Sequence, residues 1–270
     1  MKTRLNERDV EYRIDGPAGP GGAEILLAAD TDLTAGTTWA ATGYTVAPWL
    51  SSAENTALRA GLAELVRVAA RVAGFGVAPD WPITAYHQLV GNDEACHLAI
   101  VNQTKSYSLE ALPLPVTVLE ARVAALCGRA VRVYNPATGK AEFQLRIAQP
   151  HRSDNNPPHR DVWLDRLRNG LNIYFPVANS TASSSLALVP SSHWWPQDQT
   201  TRTHAGAVYN GIQFSVPALV AADRPLHLLR PNPGTDEVLL FSPYLLHGGA
   251  VNLNNDQTRI SLEMRFWAID

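Results

Sequence analysis

The sequence predicts a mainly β fold, a jelly-roll-like sandwich or barrel preceded by supporting helices. Helical periodicity is confined to the stretch between about residue 51 and residue 126. From residue 131 onward the texture changes to short apolar runs broken by Asn, Pro and Gly, the pattern of successive short strands. The chain has 270 residues, 46% of them hydrophobic and 17% charged, which suits one large domain with a sizeable core. No repeat, low-complexity segment or linker divides it, so residues 1–270 read as a single domain. Within it, 1–130 supply mainly helical support and substrate-side elements, and 131–270 form the β core.

Each element has a local reason. Gly16-Pro-Ala-Gly-Pro-Gly-Gly22 is expected to be a surface loop, because neither helix nor strand tolerates that run. Ser51-Ser52-Ala53-Glu54 has the form of a capping box, with Leu58, Leu62, Leu65, Val66, Ala69 and Val72 following at helical spacing until Gly74. A second helix is expected over 117–126, with Leu119, Val123 and Leu126 on one face and Gly128 beyond it; the stretch between the two helices is mixed. Expected strands are 131–134, 143–147, 171–177, 185–189, 226–229, 237–241 and 259–267. The long interval 196–225, with Gly206, Gly211 and Pro217, could be a lid.

Composition narrows the partners. A net charge of −3 gives no field for nucleic acid or an anionic membrane, and no apolar run approaches the ~20 residues a membrane span requires. The start, Met1 to Tyr12, is crowded with charges and unlike a signal peptide. Cys96 and Cys127 cannot form a disulfide framework. A cytoplasmic, reduced protein acting on a small molecule is the expectation, and oligomeric state is not readable.

Chemistry is concentrated in three places: Pro158-His159-Arg160-Asp161-Val162-Trp163, Leu246-His247-Gly248-Gly249 and Thr258-Arg259-Ile260-Ser261. In extended backbone, residues two apart share a face, so His159 and Asp161 can grip one ion while Arg160 points away. A third ligand must come from a distant strand. His247 fits, because it follows the apolar 238–241 run and precedes two glycines that allow close backbone approach. Two imidazoles and one carboxylate occupy one face of iron(II) and leave the other open. Arg259 and Ser261 also share a face, so guanidinium and hydroxyl can meet one carboxylate of an organic co-substrate. Ile260, Leu262, Met264 and Phe266 take the opposite face, toward the helices.

These motifs, in this order, resemble the phytanoyl-CoA dioxygenase-like branch of the iron(II)/2-oxoglutarate oxygenases. The resemblance covers roughly residues 140–267 and includes Ser184-Ser185-Leu186-Ala187-Leu188-Val189-Pro190-Ser191-Ser192-His193 and the block from Glu237 to Asn252. Ser191 stands where that family has Gly, and Ser184-Ser185 where it has Asn-Gly; neither change touches a ligand. The resemblance implies a double-stranded β-helix (jelly-roll or cupin-like) core. It also implies Fe(2+) held by His159, Asp161 and His247, 2-oxoglutarate anchored by Arg259 and Ser261, and O2 as oxidant. Halogenating relatives carry a small residue in place of the carboxylate, so Asp161 implies hydroxylation, or oxidative ring formation and desaturation. A small polar substrate, natural-product-like or sugar-containing, suits the arginines at 152, 160, 166 and 168.

Further candidates stand beside these. Gln144 and Arg146 could reach co-substrate or substrate, or be strand-edge polarity. Asn172 and Tyr174 could enter the cavity or make a buried hydrogen bond, and Trp163 is expected beside the metal. His151, His193 and His204 read as structural or rim residues. The competing class is a cupin-like protein binding a metal or small ligand without redox chemistry; it would not need Arg259, and its site usually holds a further His or Glu. A metal-independent binding protein that merely keeps the fold is the other rival.

Overall fold

The structure, a computed structural model, describes residues 2–6, 8–28, 30–152, 156–209, 211–249 and 251–269. Five short strands precede the first helix: β1 (Lys2–Leu5), β2 (Arg8–Glu11), β3 (Ile14–Asp15), β4 (Ala18–Pro20) and β5 (Tyr44–Pro48). Four helices follow: α1 (Ser52–Val72), α2 (Tyr86–Val90), α3 (Glu94–Thr104) and α4 (Val116–Cys127). The remaining strands begin with β6 (Val131–Arg132), β7 (Phe143–Ala148) and β8 (Gly170–Ala178). Next come β9 (Thr200–Thr203), β10 (Ala207–Tyr209), β11 (Ile212–Phe214) and β12 (Leu219–Ala222). The last three are β13 (His227–Leu228), β14 (Glu237–Phe241) and β15 (Arg259–Ala268).

The largest sheet runs β5-β14-β8-β15-β6, with β7 also paired to β15, and its ladders are antiparallel. Three small sheets of three strands each are ordered β13-β1-β2, β11-β10-β3 and β12-β9-β4. The protein is mainly β, as expected, but strands also occupy the N-terminal end. Strands β1, β3 and β4 pair with β13, β10 and β9, about two hundred residues away, so no local periodicity announced them. The expected loop over 16–22 contains β4. As an edge strand, β4 loses nothing at Pro20, whose missing N–H is not needed there.

Helix α1 starts on the expected box: Ser51 Oγ accepts from the Glu54 N–H, and Glu54 Oε2 accepts from the Ser51 N–H at 2.7 Å. Leu58, Leu62, Val66 and Ala69 are fully buried, whereas Val72 at the helix end faces solvent. Helix α4 closes at Gly128, which takes the left-handed conformation (φ +71°). α1, α3 and α4 pack on one face of the large sheet, joining Leu145, Ile173, Phe175, Ile260, Leu262 and Phe266 in one apolar cluster.

Two regions depart from expectation. Residues 185–189 form no strand. A turn at 181–185, where Ser184 and Ser185 N–H both donate to Thr181 O, is followed by isolated bridges of Leu188 to Leu229 and His247, with Val189 N–H on Leu246 O and Gly248 N–H on Ala187 O. The 196–225 interval is not one long loop: β9–β12 lie in it, tied to β3 and β4. Among the described residues no helix is long and apolar enough to cross a membrane. Cys96 and Cys127 are free thiols.

Candidate metal centre

His159 and His247 oppose each other in a one-residue antiparallel bridge, each backbone N–H donating to the other's carbonyl at 2.9 Å. Residues opposed in this way project to the same face, so the two rings meet with centroids 4.4 Å apart. Gly248 (φ +91°) and Gly249 (φ +69°) make the approach possible. A Cβ on Gly248 would lie 2.9 Å from Pro157 O, and one on Gly249 would lie 2.5 Å from the Pro158 ring.

The ring protons are placed by the backbone. His159 Nδ1 lies 2.7 Å from Pro157 O and His247 Nδ1 lies 2.9 Å from Leu245 O. A carbonyl can only accept, so each Nδ1 carries the proton and each Nε2 keeps a lone pair. Asp161 closes the triangle. Arg160 is extended (φ −110°, ψ 134°), which brings Asp161 back to the His159 face before a short 3-10 turn over Asp161–Trp163 begins. Asp161 Oδ1 is 3.4 Å from His159 Nε2, and Oδ2 is 3.7 Å from His247 Nε2. The donor atoms all lie within 4.8 Å of one another, a group that could hold a metal ion, and all three residues are buried.

Charge is arranged to match. Burial pushes the His247 imidazole down to about 4, with His159 adding to the shift, so it is neutral near pH 7 and ready to donate. Burial alone would raise the Asp161 carboxyl. The Asn172 amide hydrogen bond and the other groups facing the carboxyl outweigh it and hold the group below its ordinary value, ionised. Asn172 Nδ2 donates to Oδ2 at 2.7 Å. Arg265 makes a fork on the same carboxylate, Nη2 to Oδ1 at 2.9 Å and Nε to Oδ2 at 3.3 Å, while its Nη1 engages Glu142.

A pocket connects this cluster with β15. Arg259, Glu263 and Arg265 line it, along with Glu142, Gln144, Arg146 and Asn172. Arg259 is 1% exposed; its Nη1 donates to Ser184 O at 3.2 Å, and its guanidinium lies over the Tyr174 ring, 5.6 Å from the centroid. Ser261, two residues along, has a buried hydroxyl with no hydrogen-bond partner among the described residues. Arg146 donates to Gln144 Oε1 at 3.1 Å and to Glu263 at 3.3 Å. Tyr174 keeps its hydroxyl on Ser180 Oγ at 2.7 Å.

The architecture has known counterparts. AviO1 from Streptomyces viridochromogenes Tue57 matches with a TM-score of 0.51 at 19% identity, over 85% of this chain and 92% of AviO1. EctD from S. alaskensis, crystallised with 2-oxoglutarate and 5-hydroxyectoine, also gives 0.51, at 15% identity, over 99% of this chain and 86% of EctD. The chain shares their fold. No protein-family model matches it, and no curated protein does.

Several side chains sit elsewhere than the sequence suggested. Trp163 is not at the pocket; it packs in a separate apolar cluster and donates Nε1–H to Gln197 Oε1 at 2.9 Å. Arg152, Arg160, Arg166 and Arg168 do not line the pocket either. Arg160 is buried, with Nη2 donating to Ser192 O at 2.7 Å, and Arg168 pairs with Asp165 at 2.9 Å. His193 and His151, read from the sequence as structural or rim residues, do not line the pocket: His193 is buried with Nε2 on Ala40 O, and His151 is exposed with Nε2 near Asn255 Oδ1. Conversely, Glu263 and Arg265 line the pocket, though only Arg259 and Ser261 stood out in the sequence. The signal was present: the alternation that pairs 259 with 261 continues to 263 and 265.

Proposed function

We propose that this protein is an iron(II)- and 2-oxoglutarate-dependent dioxygenase of the phytanoyl-CoA dioxygenase-like kind, with a double-stranded β-helix core. Its reaction is oxidation of a C–H bond in a small polar substrate, by hydroxylation or oxidative cyclisation, with release of succinate and carbon dioxide. One observation carries this reading. Two Nε2 lone pairs and one ionised carboxylate converge at one end of a pocket whose wall, on β15, also holds the buried Arg259.

His159, Asp161 and His247 would hold Fe(2+) as two neutral nitrogens and one anionic oxygen, the donor set suited to iron(II) with positions left open. Iron(II) with 2-oxoglutarate and O2 supplies the C–H oxidation. Arg259 offers a buried guanidinium for the far carboxylate of the co-substrate, and the Ser261 hydroxyl stands beside it. Gln144 and Asn172, on the pocket wall, complete the polar surface around the co-substrate. EctD, on the same fold, was crystallised with 2-oxoglutarate, which supports the co-substrate assignment. The pocket wall sets Glu142, Arg146 and Glu263 beside apolar Ile173, Leu186, Phe241 and Met264, and its charged groups favour a small polar substrate over an acyl chain. The cupin-like alternative gains nothing from the site, since the cluster has three members among the described residues, with no further His or Glu.

Succinate release tests the reading. Protein supplied with Fe(II), 2-oxoglutarate and air is expected to form succinate, slowly and uncoupled when no substrate is added. Asp161→Ala is expected to form none. Equal yields from the two proteins would leave the cupin-like alternative standing.

A further inference from the structure

Three N–H donors converge on Asp161, and they are unequally shared. Oδ2 accepts two, from Asn172 Nδ2 at 2.7 Å and Arg265 Nε at 3.3 Å; Oδ1 accepts one, from Arg265 Nη2 at 2.9 Å. A carboxylate oxygen has two lone pairs. Oδ2 is therefore saturated, while Oδ1 retains a lone pair and lies 3.4 Å from His159 Nε2.

We propose that Arg265 is a positioning residue which, with Asn172, makes Asp161 a one-oxygen metal ligand through Oδ1. The inference rests on the metal-site reading given above. Glu142 holds the guanidinium from its far side, so Arg265 is fixed between two carboxylates with a side chain only 21% exposed. The planar fork matters: an ammonium is a point charge that serves one oxygen well, whereas a guanidinium aligns both. Without the fork the carboxylate can chelate with both oxygens and consume a coordination position that co-substrate and O2 require. β15 thus serves the centre at both ends, Arg259 for the co-substrate and Arg265 for the geometry of the metal carboxylate.

Mn(II) is a suitable probe, because its inner-sphere waters can be counted from EPR line broadening in 17O-enriched water. A six-coordinate ion held by three protein atoms retains about three waters in the wild type. Arg265→Leu is expected to retain one fewer and, as for other loss of a ligand's hydrogen-bond partner, to bind Mn(II) ~10–100-fold more weakly. An unchanged water count in Arg265→Leu overturns the proposal whatever the affinity. If that variant does not fold, Arg265→Lys, which keeps the charge but not the fork, must show the lost water. Failure of the wild type to bind Mn(II) would remove the metal-site reading itself, and this inference with it.

Discussion

The two faces of β15 share a backbone and little else. Ile260, Leu262, Met264 and Phe266 are at most 2% exposed and lie in the apolar cluster with α1, α3 and α4. Arg259, Ser261, Glu263 and Arg265 alternate with them on the other side, three of the four lining the pocket. Each large apolar side chain buried on the first face contributes about 1.5–3 kcal/mol. Groups on the second are costly to bury and are tolerated only because they are partnered or await a partner. The contrast teaches that one strand divides its labour residue by residue: the helix-facing set holds the strand rigid, and the pocket-facing set uses that rigidity for chemistry. Sequence neighbours should therefore give opposite phenotypes.

The largest effect is expected on the chemical side. His159→Ala or Asp161→Ala should abolish metal-dependent 2-oxoglutarate turnover while the unfolding midpoint stays near wild type; a full loss of fold would mean that the cluster is structural. Next comes the apolar face. Phe266→Ala should cost about 3–5 kcal/mol in denaturant unfolding, yet the folded fraction should bind metal normally. If metal affinity fell in step with stability, the two faces would not be separable. Arg259→Ala should weaken 2-oxoglutarate by the worth of a charge-assisted hydrogen bond, about 1.5–3 kcal/mol, with metal affinity unchanged in calorimetry.

The smallest effect lies in the helical layer that supports the apolar face. The Arg122 side chain hydrogen bond, with the Ser51 backbone and hydroxyl, lowers the Glu54 carboxyl from 4.5 to about 2. A carboxyl lowered on folding stabilises the fold where it is ionised in both states and loses that contribution as pH falls through its folded value. The stability gap between wild type and Glu54→Gln should thus be constant above about pH 5 and close between about pH 4.5 and pH 2. A gap that widened on acidification would contradict the pairing.

Legibility in the sequence followed the range of the interaction. α1 was readable because its capping box and apolar stripe are local, and β14 and β15 because their side-chain patterns span five to ten residues. His159, Asp161 and His247 stood out because an extended i, i+2 pair and a His before two glycines are local signatures of a close-packed site. Strands β3 and β4 were not readable, since only distant partners make them strands. Residues 185–189 misled because their long-range backbone pairing, Ala187 with Gly248, Leu188 with Leu229 and Val189 with Leu246, stays at isolated bridges and builds no ladder. Arg265 escaped because nothing local reveals that its guanidinium reaches a carboxylate 104 positions away. Arginines 152, 160, 166 and 168 lie in or near the motif in sequence, but none of them lines the pocket.

The most direct test of the centre is anaerobic. Fe(II)-loaded protein is titrated with 2-oxoglutarate while the visible spectrum is followed for the weak charge-transfer band of a chelated keto acid. The band is expected in the wild type and absent in His159→Ala. Iron binding without any band in the wild type would contradict the joint assignment of the His-Asp-His cluster and Arg259.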